Sequence, residues 1–237
     1  MVTPEFPAVL AVAGGVGGAK LALGLSRCLP PGDLVICVNT GDDEVFHGLH
    51  VSPDLDTMMY TLSGLSNKEM GWGVAGDTFT ALEMLGKFGV DTWFNLGDRD
   101  LATHIYRTQL LSEGKTLSEV TSELNQSLGV SHQIVPMSDD PVKTVLSTDE
   151  GQLPMQRYFV GRRAEPKVSE VRYLGAAEAV VSPGLHYGLA KAASLVFCPS
   201  NPYLSIGPIL ALPEVRQKIR TFSGKRICVS PIVGGDA

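Results

Sequence analysis

The opening of the chain restricts its fold more than any other stretch. Ala8 to Ala13 is a run of small apolar residues stopped by Gly14-Gly15. A short apolar run bounded by glycine predicts a buried strand of a parallel sheet. Leu21, Leu23, Leu25 and Leu29 then continue as a helix, which Pro30-Pro31-Gly32 ends. Leu34 to Val38 is a second buried strand, and it releases Asn39-Thr40-Gly41-Asp42-Asp43. Strand, glycine turn, helix, strand is a βαβ unit. It predicts an α/β protein with a Rossmann-like, doubly wound and mostly parallel sheet.

The later segments extend this plan. Asp77 to Phe88 reads as a helix whose first residue can cap it. Trp93 to Leu96 reads as a short strand, and residues 101–128 as two helices split by Gly114-Lys115-Thr116. Gln133–Met137 and Met155–Val160 read as strands, and 161–175 as a charged surface excursion. Ser194–Cys198 and Arg226–Val229 return as core strands. The whole is expected to be one domain over residues 1–237, with an accessory excursion around 110–180. Residues 230–237 follow the last strand directly, so a further C-terminal portion is expected.

Composition removes several function classes. With 44% apolar and 19% charged residues, the chain can bury a full core. Ala8–Ala13 falls far short of the roughly 20 apolar residues of a membrane span. The first residues carry Glu5 and no Lys or Arg, unlike a secretory signal. Cys28, Cys37, Cys198 and Cys228 show no C-x-x-C spacing and read as reduced packing residues of a cytoplasmic protein. A net charge of −6 argues against a nucleic-acid partner.

Five polar constellations can carry chemistry. Gly14-Gly15-Val16-Gly17-Gly18-Ala19-Lys20 can bring backbone N–H groups and one cation to a phosphate at a helix N-terminus. Its spacing matches neither a nicotinamide fingerprint nor a Walker loop, and a plain tight turn is the alternative. Asp42, Asp43, Asp54 and Asp56 gather after early strands, where Mg²⁺ takes one or two carboxylates beside phosphate oxygens. Asp54 reads equally as a helix N-cap, and Asp42-Asp43 as a solvated turn. In Leu96-Gly97-Asp98-Arg99-Asp100-Leu101-Ala102-Thr103-His104, Arg99 can clamp a phosphate, Asp98 or Asp100 can cap the helix, and Asp100 can pair with His104. Arg107 follows one turn beyond Thr103. The remaining two are turn-like loops, Pro136–Val142 and Pro199–Pro208, in which Ser200 and Asn201 can contact a purine edge or a phosphate.

Taken in order, these segments together with Trp72-Gly73, Asp77-Thr78-Phe79 and Ser230-Pro231-Ile232 resemble the 2-phospho-L-lactate transferase family of coenzyme F420 biosynthesis. The resemblance implies a Rossmann-like transferase that requires Mg²⁺. It moves a phospholactyl, phosphoenolpyruvyl or phosphoglyceryl group from a guanosine diphosphate-linked donor to the ribityl hydroxyl of the deazaflavin Fo, and GMP leaves. Carried over by position, Asp56 and Asn95 fall at deazaflavin contacts, and Asn95 stands where archaeal members often have Lys. Members usually continue past Ser230-Pro231-Ile232, and a homodimer is plausible for the family.

The expected roles follow. Asp42, Asp43 and Asp56 hold Mg²⁺; Gly14, Gly15, Gly17, Gly18, Lys20, Asn39, Asn95, Asp98, Ser200 and Asn201 contact substrates. Asp56, Arg99 and His104 are the catalytic candidates, with Asp56 the first choice as proton acceptor and His104 the second. The rival is a nucleotide-sugar-binding regulator of the same fold without transferase activity, against which the run at 97–104 speaks.

Overall fold

A computed structural model describes residues 7–232 and 234; residues 1–6, 233 and 235–237, including part of the glycine-bearing end, lie outside the described residues. The opening unit forms as its pattern requires: β1 (Val9–Ala13), α1 (Gly15–Cys28) and β2 (Leu34–Val38). A small antiparallel hairpin follows, β3 (Glu44–Phe46) with β4 (Leu49–Val51), then α2 (Pro53–Ser63), α3 (Thr80–Lys87), α4 (Asp98–Ser112) and α5 (Leu117–Ser127). Next come β5 (Gln133–Pro136), β6 (Lys143–Thr148), β7 (Gly151–Pro154) and β8 (Val168–Leu174). The described chain closes with α6 (Pro183–Lys191), β9 (Ser194–Phe197), α7 (Gly207–Ala211), α8 (Pro213–Thr221) and β10 (Lys225–Cys228).

The central sheet has five strands in the order β10-β9-β1-β2-β5, and all its pairings are parallel. Period-two alternation splits its side chains between two cores. Ala11, Ala13, Leu34, Ile36 and Ile134 pack with α1, α2, α4 and α5 on one face. Leu10, Val12, Val35, Val135 and Leu195 pack with α6 and α8 on the other. The chain runs outward from β1 through β2 to β5 and then returns to the opposite side of β1 as β9. The order therefore reverses between β1 and β9, the position at which open α/β sheets bind ligands beyond their strand ends. A separate antiparallel sheet, β7-β6-β8, occupies residues 143–174.

Several expectations fail for identifiable reasons. Trp93–Leu96 is not a strand; Trp93, Phe94 and Leu96 instead form a small cluster with Phe46. Met155–Val160 contributes a π-helical turn (Arg157–Gly161), with Phe159 and Val160 exposed. The last strand is not core: β10 is an edge, and all four of its residues are exposed. Cys37 and Cys198 are buried packing residues, and burial pushes the Cys198 thiol up to about 12, but Cys28 and Cys228 lie at the surface. Among the described residues, no helix is long and apolar enough to cross a membrane.

Candidate active site

The loops after β1, β2 and β9 meet at the switch point, and their contacts show why glycine is needed there. A Cβ on Gly17 would sit 2.3 Å from the Pro199 carbonyl oxygen, and one on Gly14 would sit 2.5 Å from Asp54 Oδ2. Gly14 N donates to Ser200 Oγ at 3.2 Å, and Gly15 N donates to Asp54 Oδ1 at 2.7 Å. The loop is thus bolted to β9 on one side and to α2 on the other. Gly18 packs against Ser200 Oγ and Ala13, whereas Lys20 points into solvent.

Asn39 is the hub beneath this loop. It is fully buried; its Nδ2 donates to Asp54 Oδ2 at 2.9 Å and to Asp42 Oδ1 at 3.1 Å, and its Oδ1 accepts from Gly41 N. Its amide is therefore spent inside the protein. Asp54 does not cap α2, for its two oxygens are taken by Gly15 N and Asn39. Asp42 Oδ2 accepts from Gln156 Nε2 at 3.0 Å. Asp43 Oδ2 accepts from Ser52 Oγ at 2.7 Å and meets His50 Nε2 at 3.1 Å, while its Oδ1 is buried with no partner.

The electrostatics of this cluster are those of crowded, desolvated carboxylates. Burial, followed by the neighbouring Asp54 and Asp43 charges, lifts Asp42 well above the carboxylate range. Burial raises Asp43 as well, against the opposing help of His50 and Ser52. Burial pushes Asp54 up to about 6, although Asn39 and Gly15 N–H bonds pull it down. A buried, unpartnered carboxylate oxygen among acids that resist ionisation is a donor set suited to a hard cation. Asp43, through its unpartnered Oδ1, and the neighbouring Asp42 are the residues that could hold Mg²⁺.

Asp56 belongs to a second network. Its two oxygens meet Arg107: Nη2 at Oδ1, and Nη1 at Oδ2 over 3.2 Å. Arg107 is among the largest fully buried side chains; burial alone would lower its pKa, but Asp56 beside it holds it raised. His104 Nδ1 lies 3.3 Å from Arg107 Nη1, and its Nε2 lies 3.3 Å from Asp100 Oδ2. Asp100 Oδ1 and Thr103 Oγ1 each lie 2.7 Å from the Tyr60 hydroxyl, whose one proton goes to the carboxylate. Burial would raise Asp100, yet His104, Tyr60 and Arg107 together bring it below its usual value. Among the described residues, the trio of carboxylate and imidazole groups with ligand atoms all within 4.8 Å of one another is Asp56, Asp100 and His104. Asp42 and Asp43 do not join that group, because Asp56 is turned toward Arg107.

The remaining expected residues separate. Arg99 is exposed, and its Nη1 donates to Ala75 O at 3.0 Å; the arginine that meets Asp56 is Arg107. Asn95 is exposed in the loop before α4. Asp98 accepts N–H bonds from Thr80 and Ala81 and so caps α3, while Asp77 accepts from Arg99 N and Asp100 N and caps α4. Each aspartate caps the other's helix, where sequence order suggested its own. Asn201 Oδ1 accepts from Tyr203 N and Leu204 N, again a capping role. Sequence reasoning missed Tyr60, Gln156 and the pairing of Arg107. The i, i+4, i+7 spacing of Asp100, His104 and Arg107 was the available signal, since it places the three on one helix face.

A doubly wound sheet whose switch-point loops join a glycine turn to buried carboxylates defines a Rossmann-like α/β protein with its ligand site beyond the strand ends. The chain belongs to the 2-phospho-L-lactate transferase CofD family, which it matches over residues 9–237. It is 43% identical over 231 residues to a phosphoenolpyruvate transferase of Streptomyces griseus, covering 95% of this chain and 73% of the relative. It is 40% identical over 221 residues to a 2-phospho-L-lactate transferase of Methanosarcina mazei, covering 93% and 72%. A solved structure of protein BH3568 from Bacillus halodurans superposes with a TM-score of 0.63 at 18% identity, covering 94% of this chain and 68% of that one. At that identity the likeness concerns the fold.

Proposed function

We propose that this chain transfers a phospho-acid group from a guanosine diphosphate-linked donor to the ribityl hydroxyl of the deazaflavin Fo, as a cytoplasmic enzyme of F420 assembly. The observation that carries the proposal is the convergence of Gly14–Gly18, Asn39–Asp43 and Asp54 at the β1/β9 switch point. Membership of the transferase family and the names of the relatives support the chemistry.

In the proposed reaction the acceptor oxygen forms a bond to the phosphorus bearing the acid, and the bond from that phosphorus to the bridging oxygen breaks. GMP departs with the electron pair, and the hydroxyl proton passes to a carboxylate. Such transfers depend on placement and charge neutralisation more than on covalent help. The N–H groups of Gly14 and Gly15 are committed to Ser200 and Asp54, so the next ones along α1, of Val16 and Gly17, serve the phosphates. Mg²⁺, held by Asp43 with Asp42, would supply charge neutralisation at the donor phosphates. Asp54 keeps the loop in place. Asp56, fixed by Arg107, remains the first candidate to receive the acceptor proton, and His104 the second.

The test is GMP release from candidate donors in the presence of Fo and Mg²⁺, with the product identified by mass spectrometry. Asp56→Asn, normalised to folded protein, is expected to lower turnover about 10²-fold or more. Near-normal turnover would remove Asp56 from the chemistry. Absence of a phosphodiester product with every donor would overturn the assignment.

A further inference from the structure

We propose that Trp72 is the aromatic platform on which the tricyclic ring of the acceptor stacks, an inference that rests on the transfer reaction proposed above. Trp72 stands in a loop closed by the Ser66–Val74 bridge and by Asn67 N donating to Gly73 O at 3.0 Å. It is flanked by Gly71 (φ 79°) and Gly73 (φ 70°), both in the left-handed region that side chains avoid. A Cβ on Gly71 would lie 3.5 Å from the Val16 side chain, so the loop rests directly over the glycine turn of the active site. The indole is 36% exposed and the neighbouring Met70 48%. What sets Trp72 apart from other exposed apolar residues is its position beside the glycine turn, where its indole is open to a ligand.

Trp72, Met70 and Phe79 form the apolar wall of a groove whose polar lining includes Asn67, Asp77 and Asp100. Those polar groups are already engaged. Asn67 Oδ1 accepts from Glu69 N and Met70 N, Asp77 accepts from Thr78, Arg99 and Asp100 N–H groups, and Asp100 Oδ1 accepts from Tyr60. Guanine is read by hydrogen bonds along its edge, and the polar side chains of this groove are already committed within the protein. A wide planar ring held by its faces suits it better. His104 Nε2 lies 3.3 Å from Asp100 Oδ2 and its Nδ1 3.7 Å from Asp56 Oδ2, so the groove floor neighbours the Asp56 carboxylate. The groove itself encloses only about 30 Å³, so the ring would lie across the exposed face of the indole and not inside the groove.

Equilibrium dialysis of Fo, and separate KM values for Fo and donor, test this with Trp72→Ala, Trp72→Leu and Trp72→Phe. Base–aromatic stacking lost on truncation corresponds to about ten- to a hundredfold in affinity. The expected result is a rise of that order in the Fo Kd and Fo KM for the Ala and Leu variants. Donor KM should not move, the loss should fall on KM rather than kcat, and Phe should recover most of it. If the Ala variant fails to fold by circular dichroism, Leu against Phe makes the same comparison. Unchanged Fo affinity in the Ala or Leu variant, or a rise confined to donor KM, would overturn the platform. A parent protein that binds Fo through Trp72 yet releases no GMP from any donor would instead sink the transfer reading and leave the platform standing.

Discussion

Arg107 is the residue on which the interior most depends. Its guanidinium is buried against Asp56, and truncating one member of such a pair strands a charge away from water. Arg107→Met is therefore expected to cost about 3–5 kcal/mol, read by urea unfolding at neutral pH. The Asp56→Asn, Arg107→Met double variant should recover part of that loss, because the isolated charge is then gone. Asp43 makes the complementary case. Its Oδ1 has no partner, so a cation there binds the folded state alone and stabilises it by mass action. Millimolar Mg²⁺ should raise Tm in the parent and not in Asp43→Asn; an equal rise in both would take Asp43 out of the cation site.

Among the elements, the cross-capped pair α3 and α4 is the most informative. Asp77 serves two first-turn N–H groups of α4, and its carboxylate fills the space in which a Gly97 side chain would stand, 2.1 Å from Oδ2. Asp77→Ala should cost about 0.5–2 kcal/mol by chemical denaturation, the range for lost caps, and Gly97→Ala should be at least as harmful. This arrangement shows where sequence stops informing. The apolar runs of β1 and β2 were legible because a strand buried on both faces leaves no polar position. The caps were not, because composition marks an aspartate as a capping residue without saying which helix it reaches across 20 residues. Met155–Val160 misled differently: Tyr158, Phe159 and Val160 make an apolar run, but the backbone there turns through a π-helix, and Gln156 is used to hold Asp42. Likewise the acids at 42–56 could be placed at strand ends, but not sorted into one group around Asn39 and another around Arg107.

At the scale of the molecule, the carboxylate cluster sets the pH response. Asp54 is raised to about 6 from its ordinary 3.8, and Asp42 and Asp43 are raised too, so folding takes up protons in this window. Where the native state binds more protons than the unfolded chain, stability falls as pH rises. The Asp54 contribution is whole below its unfolded pKa and disappears as pH climbs through about 6. Without Mg²⁺, urea midpoints should therefore increase as pH drops from 7.5 toward about 5, more steeply in the parent than in Asp54→Asn. A flat profile in the parent would show these acids to be ionised and solvated. The hydrogen bond from Gly14 N to Ser200 Oγ spans 186 residues, because the β1 loop is completed by the loop after β9. A ribosome has made that turn long before it delivers its far wall. The nascent polypeptide can shape its glycine turn early, but that turn stays open on one side until Ser200 has been translated.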